Sequence, residues 1–468
     1  MRGIEYRGLS RIEGPVVITE RSRNVGFNEV VAVYDRENTK RLGRVVDLSE
    51  DWAAIQIFGN STGLSADDSR VEFLERPMEI RVGPGLLGRV FNGLGEPIDG
   101  YGSIFSSKTY DINGLPINPY ARTYPRDFIQ TGISAIDGMN TLIRGQKLPI
   151  FSGNGLPHNR LAAQIVRQAK ILNFSGDSST SEQFVVVFCA MGVKNDVARF
   201  FLDDFEHSGV LSNVAVFLSL ADSPSLERLV APRCALTAAE YLAYERHMHV
   251  LVVMTDITNY CEAMREVSSI RGEVPSRKGY PGYLYSDLAS LYERAGKIKN
   301  STGSITQIPI LSMPNDDISH PIPDLSGYIT EGQIVLEREL FQRGIYPPVA
   351  GLPSLSRLMK DGIGPGMTRE DHKDVSSQLF AAYARVKQIR NLASIIGEEE
   401  LSVTDKSYLK FGEKFEQILL TQDEYENRDI GRTLDLGWKV LGVLPREELL
   451  RAKEEYIEKY MEPAVNSA

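Results

Sequence analysis

The chain has 468 residues, 42% of them hydrophobic and 24% charged, with a formal net charge of −10. This length suggests about three domains and a core that needs no disulfide or metal support. The acidic balance argues against broad binding to nucleic acid or anionic membranes. No apolar run reaches the roughly 20 residues of a membrane span, so we expect no direct membrane insertion. Three widely spaced cysteines, Cys189, Cys234 and Cys261, predict buried reduced thiols.

The order of sequence patterns predicts three domains. Residues 1–75 contain short β-branched and apolar runs separated by turn residues, which predicts a small N-terminal β-barrel. Residues 76–365 alternate fully apolar strands, such as 184–188, with helical patterns, which indicates a buried parallel sheet in an α/β domain. Residues 366–468 are helical and predict a C-terminal helical bundle.

Two sequence patterns within residues 366–468 predict details of the helices there. Apolar residues recur at steps of three or four from Leu379 through Leu392 to Ile396, which predicts one apolar stripe. A final helix is predicted to stop at Pro463.

The segment 149–159 has the context of a phosphate-binding loop, because an apolar strand leads through a glycine-containing turn into a helix. Such loops bind phosphate through backbone N–H groups and a helix N-terminus. The working pattern GxxxxGK[ST] adds a lysine for the phosphates and a hydroxyl for magnesium. Set against that pattern without gaps, four positions fail, namely Ser152, Pro157, His158 and Asn159.

This degenerate loop has two interpretations. The simpler one is a strand-to-helix turn that binds no ligand. The functional one is a nucleotide site whose contacting residues would be Ser152, Gly153, Gly155, His158 and Asn159. Pro157 has no N–H to donate, and histidine is mostly neutral near pH 7 unless its pKa is shifted.

An aspartate at the end of an apolar run, Asp256 after 253–255, has the form of a Walker B strand. It predicts either a magnesium-linked carboxylate in a degenerate site or a carboxylate that caps nearby N–H groups. The segment 315–317, Asn-Asp-Asp, predicts a solvated acidic loop. His247 and His249 are two positions apart, but the sequence offers no third metal ligand near them, so we predict no metal site.

Motifs distributed along the whole chain resemble one family. The segments 93–100, 130–137, 253–256 and 348–357 together resemble the α and β subunits of rotary ATPases. Four further segments resemble the V-type B subunit, also called the regulatory β chain, specifically: 151–158, 271–285, 320–328 and 353–358. The resemblance implies a multidomain α and β fold whose central domain is a RecA-like nucleotide-binding domain of the P-loop NTPase type.

The resemblance also implies that this chain is not catalytic by itself. Catalytic relatives carry Gly-Glu-Arg after the strand that follows the phosphate loop, and their glutamate orients the attacking water. Val193 stands at the glutamate's place and cannot position water. Since positioning and electrostatics supply nearly all catalysis of phosphoryl transfer, a site built on this loop is expected to be very slow or inactive.

The resemblance makes Arg357 an arginine finger that reaches the γ-phosphate in a neighbouring catalytic A subunit. A guanidinium is always charged, planar and bidentate, which suits the transition-state charge. Ser354 either sets the turn before Arg357 or reaches the nucleotide, and we favour the turn. Tyr328 and Tyr346 either flank an adenine or belong to an interface or core.

The implied assembly is an alternating ring of three A and three B subunits around a rotating shaft, with the barrels as a collar and the C-terminal helices on the shaft. ATP or ADP with Mg²⁺ would lie at the A–B interface, with the metal held mainly by the A subunit. Central rotor and peripheral stalk subunits are the other expected partners. The chain would lie on the cytoplasmic side of a membrane, in a complex that couples ATP synthesis or hydrolysis to proton or sodium transport.

Three other functions compete with this interpretation. A self-sufficient ATPase and an RNA-translocating hexamer of the Rho kind both need an intact phosphate loop, and the second also needs a basic RNA path. A purely structural scaffold of the A–B ring needs neither. Arg357 separates the scaffold from a subunit that takes part in the chemistry.

Overall fold

The computed structural model describes residues 4–20, 25–59, 61–114, 117–172 and 183–461. The end of the predicted helical domain, including Pro463, therefore lies outside the described residues. Strands, then alternating strands and helices, then helices follow one another along the chain, which confirms the predicted fold class.

The N-terminal domain is a seven-stranded antiparallel sheet with the strand order β1-β7-β4-β5-β6-β3-β2. Its apolar core includes Val17, Val45, Ile55 and Phe73, whose side chains are almost completely buried. Buried β-branched and aromatic residues of this kind are what a small barrel requires. The strands are β1 (Ile4–Arg7), β2 (Arg11–Glu13), β3 (Val16–Glu20), β4 (Val30–Tyr34), β5 (Lys40–Leu48), β6 (Trp52–Ile57) and β7 (Arg70–Phe73).

The central domain is built around one large sheet in the order β22-β21-β14-β20-β18-β16-β17-β9. All neighbours from β21 to β9 in this order are parallel, and β22 at the edge is antiparallel to β21. These strands are β9 (Val90–Asn92), β14 (Ile150–Gly153), β16 (Phe184–Val193), β17 (Val214–Leu220), β18 (His249–Thr255), β20 (Ser304–Met313), β21 (Gly332–Val335) and β22 (Leu355–Ser356).

Smaller strands border this sheet. They are β8 (Glu79–Val82), β10 (Lys108–Asp111), β11 (Arg122–Thr123), β12 (Phe128–Gln130), β13 (Leu142–Ile143), β15 (Lys170–Ile171) and β19 (Gly296–Ile298). The helices of the central domain are α1 (Ser134–Asp137), α2 (His158–Gln168), α3 (Asn195–His207), α4 (Ser225–Glu240), α5 (Ile257–Ile270), α6 (Leu284–Tyr292), α7 (Pro321–Ile329), α8 (Arg338–Gln342) and α9 (Met359–Gly362).

Most residues of the parallel strands are buried in two apolar clusters that also include helix residues, which explains their continuous apolar sequences. All three cysteines are buried free thiols, as predicted. Burial raises the pKa of the Cys189 and Cys234 thiols well above that of an exposed cysteine.

The C-terminal domain contains α10 (His372–Ile396), α11 (Val403–Lys414), α12 (Ile430–Leu441) and α13 (Glu454–Tyr456). The predicted apolar stripe of α10 is buried as far as Ile389, but Leu392 and Ile396 are exposed. Ile395 and Val403, on either side of the following turn, are exposed as well. No helix in the described ranges is long and apolar enough to cross a membrane.

Candidate functional site

The degenerate loop connects the central strand β14 to helix α2. Gly155 adopts a φ of +80°, which a residue with a side chain rarely adopts, and Pro157 occupies the N-cap position of α2 without a side-chain capping bond. The buried hydroxyl of Ser152 and Nδ1 of His158 lie 3.0 Å apart, so the two residues that replace glycine and lysine contact each other. Burial lowers the pKa of His158, although the nearby Asp256 carboxylate opposes this shift. A neutral histidine here does not supply the charge of a phosphate-loop lysine.

An ion pair covers the start of this loop. The guanidinium of Arg338 binds both carboxylate oxygens of Asp316, at 2.6 and 2.9 Å, and donates to the carbonyl oxygen of Asn154 at 2.8 Å. A Cβ added to Gly153 would lie 1.9 Å from Oδ1 of Asp316. Asn315 and Asp316 are exposed, in line with the predicted solvated loop, and the Asp316 carboxylate is in addition paired with Arg338 beside the phosphate loop.

Asp256 follows β18 and is the N-cap of helix α5. Its Oδ1 accepts hydrogen bonds from the N–H groups of Thr258 at 2.8 Å and Ser312 at 3.1 Å. Its Oδ2 accepts from the Ser312 hydroxyl at 2.5 Å. The carboxylate is buried, and it acts here as a helix cap that also ties β18 to β20.

The position of the missing glutamate lies at the end of β16. Val193 is buried there and offers no polar atom from its side chain. The neighbouring side-chain amide of Asn259 donates to the carbonyl oxygens of Met191 and Gly192, at 2.9 and 3.1 Å. Asn159 is half-buried in the first turn of α2. These residues do not fit a hydrolytic magnesium–nucleotide site, because the lysine, the hydroxyl and the water-positioning carboxylate are replaced.

Arg357 follows the edge strand β22 and is exposed. Its backbone N–H donates to the carbonyl oxygen of Glu331 at 3.0 Å, and its Nη1 lies 3.4 Å from the carbonyl oxygen of Thr330. Within the described residues, no carboxylate lies within 4 Å of its guanidinium. The guanidinium is therefore available to an anion outside this chain.

Two serines and a glycine hold β22 in place. The hydroxyl of Ser354 accepts from the N–H of Val335 at 2.9 Å, and the hydroxyl of Ser356 donates to the carbonyl oxygen of Thr141 at 2.8 Å. Gly332 has a φ of +136°, and a Cβ there would lie 2.0 Å from the carbonyl oxygen of Leu355. The sheet therefore needs glycine at 332 for β22 to pair with β21.

Arg357 and the degenerate loop lie at opposite ends of the sheet. The loop leaves β14 at its carboxyl end, after Gly153. Arg357 follows Ser356, which pairs with Gly332 at the amino end of the parallel strand β21. Glu331 bonds to Lys147, which precedes Gly153 by six residues, and at about 3.3 Å per residue the two ends are roughly 20 Å apart. The guanidinium therefore does not serve this chain's own loop.

The two candidate tyrosines lie in different surroundings. Tyr328 is 74% exposed near the end of α7, two residues before Thr330, and so lies on the Arg357 side of the sheet. Tyr346 is half-buried, and its hydroxyl donates to Oε1 of Gln164 on helix α2 at 3.0 Å. The structure does not bring the two rings together at one adenine-sized site.

Sequence reasoning missed Asp316 as a loop contact, and it also missed Arg338 and Gly332. Asp316 and Arg338 are 22 positions apart, on different elements, and nothing local to either marks the pair. Gly332 shows no sequence feature that distinguishes it from an ordinary turn glycine.

The chain matches three family models in succession. They are the β-barrel domain of the ATP synthase alpha/beta family over residues 9–75, the nucleotide-binding domain of that family over 132–356, and the C-terminal domain of V and A type ATP synthase over 361–461.

Full-length relatives share its sequence. It is 66% identical to the V-type ATP synthase beta chain 2 of Treponema pallidum (strain Nichols), over 98% of this chain and 95% of that one. It is 59% identical to the B subunit of the A-type ATP synthase of Aeropyrum pernix, over 97% of both chains. The solved structure of the ATP synthase subunit NeqB from Nanoarcheaum equitans matches with a TM-score of 0.71 and 41% identity, over 91% of this chain and 98% of that one. The chain therefore belongs to the ATP synthase alpha/beta family, among the B subunits (beta chains) of the V-type and A-type ATP synthases, and carries that family's nucleotide-binding domain.

Proposed function

We propose that this chain is the non-catalytic, regulatory B subunit of a rotary ATPase and that it completes the active site of a neighbouring catalytic A subunit with Arg357. The observation that carries this proposal is the position of Arg357. Its exposed guanidinium has no carboxylate partner in the described part of the chain, and its backbone is attached at the amino end of β21, roughly 20 Å along the sheet from the chain's own loop. An arginine held in this way suits the charge of a phosphoryl group on another subunit.

The chain's own loop supports the non-catalytic half of the proposal. His158 is half-buried and has a pKa lowered by desolvation where a lysine would bind the phosphates, and Val193 replaces the residue that orients water. The Asp316 carboxylate, packed beside Gly153, adds negative charge where a phosphate would approach. ATP or ADP with Mg²⁺ is therefore assigned to the interface with the A subunit, with the metal held mainly by that neighbour.

The domain boundaries proposed here are 1–75 for the barrel, 76–365 for the nucleotide-binding domain and 366–468 for the helical bundle. In a ring of three A and three B subunits the barrels would form a collar. The exposed apolar residues Ile395 and Val403, which lie in α10 and α11 on either side of the connecting turn, are the surface we assign to the rotor shaft. Peripheral stalk subunits would hold the ring at the cytoplasmic side of the membrane, where ATP synthesis or hydrolysis is coupled to proton or sodium transport.

Reconstitution tests this function. The purified chain, a catalytic A subunit from a homologous complex, and their mixture are assayed for ATP hydrolysis. We expect the chain alone to be inactive and the mixture to turn over faster than the isolated A subunit. Strong hydrolysis by the chain alone would instead support a self-sufficient ATPase.

The scaffold alternative predicts the same assembly but no effect of Arg357 on turnover. Size-exclusion chromatography of the mixture therefore accompanies each assay, so that loss of the ring is distinguished from loss of the chemistry.

A further inference from the structure

A cavity of about 330 Å³ lies where the barrel meets the central domain. Three arginines from distant parts of the chain line it: Arg44 of strand β5, Arg233 of helix α4 and Arg271 at the end of helix α5. The volume falls in the range of small-molecule sites and equals that of roughly ten water molecules. Three guanidinium groups around one small space make it a candidate anion site.

The carboxylates of the cavity do not neutralise all three arginines. Asp287 binds Arg233 at 3.0 Å and also accepts the hydroxyl of Tyr260. Glu273 lies 3.6 Å from Arg271, beyond hydrogen-bond length, and accepts the Ser268 hydroxyl at 2.7 Å. Three arginines against two carboxylates leave one positive charge among the lining residues.

Arg44 carries this excess charge. Its guanidinium makes no hydrogen bond or ion pair within the described residues, and its Nε is buried without an acceptor. The Nε of Arg271 is buried and without an acceptor as well. Burial, followed by repulsion from Arg271 and Arg233, lowers the pKa of Arg44 to about 10. Burying an unpaired charge is costly, so an anion bound here would stabilise the folded chain.

We propose that this cavity binds a phosphate-class oxyanion, either free phosphate or the phosphate group of a small molecule, between Arg44 and Arg271. The planar guanidinium fork matches two oxygens of such a group. Because Arg44 belongs to the barrel and the other two arginines to the central domain, the bound anion ties these two domains together. This site is separate from the degenerate loop and from Arg357, and it does not depend on the proposed function.

Thermal unfolding and isothermal titration of the full chain test the proposal, with inorganic phosphate as the probe and chloride at matched ionic strength as the reference. We expect phosphate to raise the Tm of the wild type more than chloride does. Arg44→Gln is expected to weaken phosphate binding at least tenfold and to abolish that extra rise. Without phosphate, Arg44→Gln is expected to be as stable as the wild type or more so, since Arg44 has no partner to lose.

Two further variants locate the effect. Arg271→Gln should also weaken phosphate binding. Arg36→Gln removes one exposed positive charge from the turn between β4 and β5, near Arg44 in sequence, and should bind phosphate as the wild type does. The proposal is overturned if phosphate stabilises the wild type no more than chloride, or if it stabilises Arg44→Gln as much as the wild type. A large loss of stability in phosphate-free Arg44→Gln would also overturn it, because Arg44 would then have a partner within the chain.

Discussion

The backbone N–H of Arg357 donates to the carbonyl oxygen of Glu331 at 3.0 Å, and this bond ties the end of edge strand β22 to the start of β21. The Glu331 carboxylate is already occupied, since it pairs with the buried ammonium of Lys147 at 2.9 Å. The backbone of Arg357 is thus fixed to the sheet while its guanidinium remains exposed. A fixed backbone with an exposed cation is the arrangement that an arginine acting on a neighbouring subunit requires.

Gly332→Ala should move Arg357 without altering it. A Cβ at this position would lie 2.0 Å from the carbonyl oxygen of Leu355, so β22 must shift away from β21. We expect a loss of about 2 kcal/mol in the free energy of unfolding and, if Arg357 acts as proposed, at least a tenfold loss of ATP hydrolysis in the reconstituted complex. Chemical denaturation and the hydrolysis assay measure the two effects.

Gly344→Ala is the matched control for this variant. Gly344 also has a positive φ, +77°, but a Cβ there would meet no atom within 4 Å. Its complex should hydrolyse ATP as the wild type does. If Gly332→Ala hydrolyses ATP as fast as Gly344→Ala, the pairing of β22 with β21 does not position Arg357 for the reaction.

Asp316→Asn should strengthen nucleotide binding by the isolated chain. The substitution keeps the shape of the side chain and tolerates the positive φ of 56°, but it removes a negative charge beside Gly153. It also leaves the Arg338 guanidinium without its carboxylate. We expect the Kd for ADP to fall about tenfold, as weaker repulsion of the phosphates dictates. Isothermal titration measures the change.

Asp317→Asn makes the same change of net charge one residue away, where the exposed carboxylate pairs with Lys278 at 3.3 Å. ADP affinity should be unchanged in this control. Equal strengthening in both variants would show a general charge effect and would remove Asp316 from the loop's electrostatics.

His372 should make the chain less stable in acid. The ring is completely buried, with Nδ1 3.1 Å from the Thr368 hydroxyl and Nε2 3.2 Å from the carbonyl oxygen of Gly138. Burial lowers its pKa to about 4, whereas the unfolded chain keeps the ordinary value of about 6.5. Between these values the unfolded state binds a proton that the folded state does not, so this contribution falls as the pH drops from 6.5 to 4, by on the order of 3 kcal/mol.

Urea denaturation at a series of pH values measures this dependence. His372→Gln should flatten it between pH 6.5 and 4, and the exposed His207→Gln should leave it as in the wild type. An unchanged slope in His372→Gln would assign the acid sensitivity to other groups.

The sequence predicts those features that depend on neighbouring residues. Continuous apolar strands such as 184–188 predict a buried parallel sheet, because each strand must be apolar on both faces. Local strand-to-helix patterns predict a helix after the phosphate loop and another after Asp256. The structure has a helix that starts at His158 and another that is capped by Asp256.

The sequence does not predict features that depend on the packing of distant segments. The cavity brings together Arg44, Arg233 and Arg271 from three elements, and an arginine on each is by itself an ordinary surface residue. For helix α10 the sequence predicts too much burial: the apolar period continues to Ile396, but the buried residues end near Ile389. Periodicity reports a helical face but not what covers it.

Arg357→Ala in a reconstituted complex with a catalytic A subunit tests the proposed function most directly. Arg357→Lys, which keeps the charge without the planar fork, and Lys360→Ala, which removes an exposed cation three residues away, serve as companions. We expect Arg357→Ala to lower the rate of ATP hydrolysis about 10³-fold or more while the ring stays assembled, with Lys360→Ala as active as the wild type. Normal hydrolysis by an assembled Arg357→Ala complex would contradict the proposal and leave the chain as a scaffold of the ring.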